Sequence, residues 1–506
     1  MPLSLPTRWP FLLPALALTF SACKDEKLES VPGGGDSNPD LTDDTGTVPT
    51  DDTGTAPTDD TGTHTGTPDQ YTFQSQYTSE SSVAYDGQTF RHLLIEDLKS
   101  QIDGLTGRID GGWYPTEGEI TAELDFYFRF DSDTSSGVEH NKATDPAPLQ
   151  ATYGEVSSGK DLVGKIAGND AEGQHEDWSA DFVGWDDPAV TTPESLVTLW
   201  FNQLDEAAVA RSLGEIPLGP DGVPVSAVHL TADGRNLKEL LQKFLLGAVT
   251  FSQGADDYLD DDLEGKGLNA SNAAAEDGKP YTALEHAWDE GFGYFGAGRD
   301  YGSLTDEHIA DTPYADTLPA DGMIDLLTEV TWGHAINASK RDLGAVVATD
   351  LSADGWNAFV EGRALITNAG GDLDTTEKET LRSLRDQAIF AWEAAIAATV
   401  VHYINDTLRD MGTFATADYN FDDHAKHWSE LKGFALSFQF NPRSPISDTD
   451  FVALHDLLGI APVLPTATTT EITTYRANLV AARDMVGAAF NFDPANLGDA
   501  DGNNGW

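Results

Sequence analysis

The stretch from Thr376 to Met411 reads as one long helix, and between Ala388 and Asn405 its only formally charged residue is Glu393. No run in the mature chain is expected to be long and charge-free enough to span a bilayer, so other helices must enclose this one. They are legible from Pro193 onward. Thr191-Thr-Pro-Glu194 caps a helix with Leu196, Leu199, Trp200 and Leu204 on one face. Asn236 to Phe251 carries Leu237, Leu240, Leu241, Phe244, Leu245 and Ala248 as an apolar stripe. Further helices are expected around His286 and at Met323 to Ser339, Ala353 to Ile366, His424 to Phe438 and Thr470 to Phe490. Strand patterns are scarce. The expected fold is mainly α, a helical bundle or paired bundles over residues 193–495.

Residues 71–192 read as a loop-rich N-terminal elaboration. Tyr71-Thr-Phe73 and Val83 to Thr89 look like short extended pieces with a turn at Asp86-Gly87. One helix follows on Phe90, Leu93, Leu94 and Leu98, and Leu124 to Phe130 is the one convincing apolar run between 103 and 181. The acidic run Asp256 to Glu264 is expected as a solvated loop, and residues 496–506 as a frayed polar tail.

Arg8, the apolar run Phe11 to Phe20 and the small residues Ser21-Ala22 predict a signal peptide over residues 1–22. Phe20-Ser-Ala-Cys23 resembles a bacterial lipobox, so Cys23, the only cysteine, is expected to carry lipid and anchor an exported protein to the cell envelope, at the outer membrane or cell surface. From Cys23 to residue 70 the repeated Asp-Asp-Thr-Gly units offer almost no apolar side chains and predict a disordered acidic tether. Net charge is −56, from 29 Lys and Arg against 85 Asp and Glu. Such a surface repels phosphate backbones and argues against nucleic acid as a partner.

Two helical segments combine imidazole with carboxylate. His286 and Glu290 stand one turn apart, as do His427 and Glu430, and Glu393 is the isolated acid of the long helix. Facing helices of a bundle bring such groups together as metal ligands, and these five residues form the candidate metal or haem set. The same pairs also serve as hydrogen-bonded core polar groups. His175-Glu176-Asp177 lacks the second His of a zinc peptidase, and no Gly-x-Ser-x-Gly elbow is present, so a non-catalytic role is expected over metallopeptidase chemistry.

Gly87-Gln-Thr-Phe-Arg91, Lys165-Ile-Ala-Gly-Asn-Asp170, Glu285-His-Ala-Trp-Asp-Glu-Gly-Phe-Gly-Tyr-Phe-Gly296, Lys340-Arg-Asp342 and Leu436-Ser-Phe-Gln-Phe-Asn-Pro442 resemble an uncharacterised family of bacterial lipoproteins, a domain of unknown function. The resemblance spans about residues 71–495. Its members accompany imelysin-like proteins and outer-membrane receptors, which implies iron uptake, with iron or haem as the ligand. Imelysins are two-bundle proteins with a Gly-x-His-x-x-Glu motif; His427-Trp-Ser-Glu430 matches its second half, while Ala425 stands where the motif has glycine. The resemblance thus implies a lipid-anchored binding protein for iron or haem. Its alternative is a structural or interaction lipoprotein without a ligand.

Overall fold

The computed structural model describes residues 68–314 and 322–506, all within one compact unit. The signal segment, Cys23 and the tether up to residue 67 lie outside the described residues. Among the described residues the fold is mainly helical, and pairing between extended segments is limited to isolated bridges. The helices are α1 (Asp86–Asp110), α2 (Glu119–Phe128), α3 (Ser132–Ser135), α4 (Tyr153–Val156), α5 (Pro193–Ser212), α6 (Leu237–Leu245), α7 (Ala283–Phe295) and α8 (Asp306–Asp311). They continue as α9 (Gly333–Gly344), α10 (Leu351–Ala369), α11 (Thr375–Gly412), α12 (Phe421–Ala435), α13 (Asp448–Leu458), α14 (Thr469–Ala489) and α15 (Pro494–Leu497).

Helix α11 is the axis. Asp374 starts it by accepting from the Thr376 and Glu377 amides, and Glu377 reciprocates in a capping box. Helices α9, α10, α12 and α14 pack around it. By length and composition α11 is apolar enough to cross a bilayer, contrary to the expectation from the sequence, and 83% of its apolar window is buried inside the fold. Two indole rings fix close approaches to glycine: a Cβ on Gly362 of α10 would lie 2.0 Å from Trp288 of α7, and one on Gly254 would lie 2.6 Å from Trp392 of α11.

Several elements differ from the sequence reading. Asp86-Gly87 opens α1 instead of forming a turn. Residues 323–332 form isolated bridges at Ile324 and Val330 around a turn at 326–329 rather than a helix, because Ile324 exchanges backbone bonds with Ala147 and Leu149, and the Trp332 amide donates to Gly296. The helix begins only at Gly333, whose φ of +48° a side chain would strain. Helix α6 continues into two π-helical turns, Leu246–Phe251 and Gly254–Tyr258. Helices α2 and α13 stand where none was expected, α13 capped by Ser447. The expected polar tail is instead docked: the Trp506 indole donates to the Arg341 carbonyl at 2.8 Å, and Asn405 of α11 donates to the Trp506 carbonyl at 2.8 Å.

One buried cation joins the N-terminal segment to this core. Arg363 of α10, 0% exposed, donates to Asp289 and Glu285 of α7, each at 2.8 Å, and to the Ser82 hydroxyl at 2.8 Å. Asp289 also accepts from the Tyr71 hydroxyl at 2.8 Å and the Ala84 amide at 3.2 Å. Glu285 additionally closes the capping box of α7 with Thr282. Removing the guanidinium leaves two carboxylates buried without their cation. Arg363→Met is therefore expected to cost about 3–5 kcal/mol of stability, read as a lower urea midpoint, and to expose residues 71–84 to protease.

Candidate functional site

Among the five predicted ligands, His286 and Glu290 do meet on α7, with Nε2 of His286 3.7 Å from a Glu290 oxygen. The imidazole also lies against the Ala84 carbonyl through Nδ1 at 3.1 Å and stacks on Tyr281, ring centroids 4.5 Å apart. Glu290 accepts from Gln88 of α1 at 2.9 Å. This pair faces the N-terminal segment.

Glu393 is fully buried in α11 and accepts from Asn441 at 2.7 Å and Ser444 at 2.6 Å. Burial pushes its carboxyl up to about 8, against the pull of those two donors. At neutral pH it is mostly a neutral acid. Glu430 of α12 ends a chain of charges in which Lys99 meets Glu239 at 3.0 Å, Glu239 meets Lys243 at 3.3 Å, and Lys243 meets Glu430 at 3.1 Å. That chain ties α1, α6 and α12 together.

His427 is different. Its Nδ1 lies 2.8 Å from Asp410 at the end of α11, its ring stacks on Tyr403, and 23% of its side chain is exposed. Burial opposes its charged form, but the bond to Asp410 and the carboxylate's charge outweigh this and raise its pKa. With Nδ1 committed to the carboxylate, Nε2 is the nitrogen left for a ligand, the arrangement seen when a carboxylate orients a metal-binding histidine. His286 and His427 share none of their hydrogen-bond, ion-pair or ring partners. Among the described residues no three His, Asp or Glu side chains converge as a metal ion would need, so the five expected ligands do not form one coordination set.

Sequence reasoning missed the acidic run. Asp256, Asp257 and Asp260 are buried, not solvated. Asp256 holds Nδ1 of His175 at 2.8 Å and also accepts from the His175 amide, Asp257 pairs with Lys266 at 2.7 Å, and Asp260 pairs with Arg443. Asp261 binds Arg382 at 2.7 Å and Arg385 at 3.0 Å, both from α11. His175–Asp256 thus repeats the geometry of His427–Asp410. The sequence reading ends the helix at Phe251, whereas the π turns carry it on to Tyr258 and so take Asp256 and Asp257 into the core.

Residues 197–453 match a family described only as a domain of unknown function (DUF4856), just over half of the chain. The chain belongs to this family. No curated protein and no solved structure matches it. The DUF4856 region holds all five predicted ligands, the π turns and the buried acidic run, but not His175, Ser82 or the docked C-terminus.

The buried Glu393 gives a signed expectation. Between about pH 4.3, where a free Glu ionises, and about 8, the folded chain keeps a proton that the unfolded chain has released, so this group's contribution to stability falls as pH rises. Urea midpoints should show wild type losing stability relative to Glu393→Gln between pH 5 and pH 8. Parallel profiles for the two proteins would contradict a neutral Glu393.

Proposed function

We propose that the chain is a lipid-anchored binding protein of the cell envelope, held at the outer membrane or cell surface through Cys23, and that it assists capture of iron or haem. The observation that carries the reading is His427, a partly exposed imidazole oriented by Asp410 with Nε2 outside the pair. A net charge of −56 concentrates cations around such a ligand. In this reading His286 with Glu290 is a second contact point, while Glu393 and Glu430 brace the helices that carry the histidines. Imelysin-like proteins and outer-membrane receptors are the proposed partners, on the strength of the sequence resemblance.

A second reading, a structural or interaction lipoprotein without a ligand, is favoured by one observation. Each of the five candidate residues is already engaged by a protein partner.

Elemental analysis of protein purified without chelator, together with a haemin titration followed by absorbance, separates the two. The first reading expects iron or haem at about one equivalent in wild type and a loss of affinity of at least ten-fold in His427→Ala. If wild type takes up neither, or if His427→Ala binds as wild type does, the second reading stands. The anchor is tested separately: Cys23→Ser should abolish incorporation of labelled fatty acid and move the protein out of the detergent phase. Equal partition of the two proteins would remove the lipid from the proposal.

A further inference from the structure

Helix α12 turns one amine into the core. Lys432 is 0% exposed, and its Nζ lies 2.7 Å from Nδ1 of His455, a buried side chain of α13. The other ring nitrogen of His455, Nε2, faces the Ala435 carbonyl at 3.3 Å. A neutral ring whose Nε2–H donates to that carbonyl has Nδ1 free to accept from the amine. Phe451 packs on the imidazole with centroids 4.3 Å apart, and the Trp185 ring centroid lies 5.8 Å from Nζ.

Among the described residues no carboxylate lies within bonding distance of the amine. Asp456, also on α13, acts on it through space, and the segment carrying Trp185 presents an indole. His455 supplies no counter-charge: burial and the neighbouring Lys432 hold its ring neutral, and its charged form would be a second cation. A lysine buried without an ion partner prefers its uncharged form, and burial lowers this one to about 7. When it takes a proton, the charge needs water. His455 of α13 and the Trp185 ring lie beside the amine, and α13 in turn packs on α14. Helix α13 is short and bounded by Ser447 and by Gly459 at φ +72°, and it supplies the partner imidazole.

We propose that Lys432 and His455 form a proton-controlled latch in which the uncharged amine keeps α13 closed on α12, and protonation of that amine releases α13. The sign comes from linkage. Between about pH 10.4, where a free lysine titrates, and about 7, the open state binds a proton that the closed state refuses. Opening therefore becomes easier as pH falls through that window and levels off below it.

Amide hydrogen exchange of the full-length protein, corrected for intrinsic rates, reads this directly. Protection of residues 448–458 is expected to fall on the order of 10- to 100-fold from pH 9 to pH 7. Lys432→Met should flatten that dependence. Lys432→Gln keeps a donor for His455 without a titrating amine, so it should flatten it too, and agreement of the two variants distinguishes loss of the titration from altered packing. The latch is overturned if α13 in wild type shows no pH dependence beyond that of α14, or if either folded variant retains it.

Discussion

The segment at residues 71–84 is held to the helical core around the guanidinium of Arg363. Three charged side chains, Arg363, Glu285 and Asp289, are withdrawn from water together, and the arrangement holds because each hydrogen-bonding edge finds a partner. Such a group adds little to stability compared with a well-packed apolar core, but a wrong packing would strand a charge, so it fixes how α7, α10 and residues 71–84 meet. Trp288 of α7 then seats against the bare backbone of Gly362, the residue next to Arg363. The ionic and steric contacts set the same helix pair in register.

The same device recurs through the core. With few cations available, the chain spends them internally: Lys266 on Asp257, Arg443 on Asp260, Arg382 and Arg385 on Asp261, Lys99 and Lys243 on Glu239 and Glu430. Histidines also serve in place of further cations, among them His175 on Asp256 and His427 on Asp410, each of which meets its acid through Nδ1. Lys432 departs from this pattern, an amine given an imidazole instead of an acid. It is also the place where protonation sets the charge against the packing.

The family match and the folded unit do not coincide. Arg363 lies within residues 197–453 but binds Ser82 outside them, and Asn405 within them binds the Trp506 carbonyl outside them. The flanks therefore supply hydrogen-bond partners to groups buried in the matched region.

Helix type and position were legible wherever an apolar stripe ran at constant period: α5, α10, α11 and α14 start within two residues of where the sequence puts them. Those stripes, the caps at Thr192 and Asp374 and the lone Glu393 are local properties, fixed by spacing and by the unmet amides of a helix start. The sequence by itself determined the mainly helical class, while the enclosure of α11, apolar enough by composition to cross a bilayer, came from the helices packed around it. Tertiary structure decided which charges face each other. The π turns carried the helix on through Asp256 and Asp257, backbone pairing with residues 147–149 held Ile324 out of a helix, and distant chain supplied Asp410 to His427 and His455 to Lys432. Periodicity reports only which side of a helix is turned inward; the partner met there comes from another part of the chain, and a buried charge is stable only where that partner matches it.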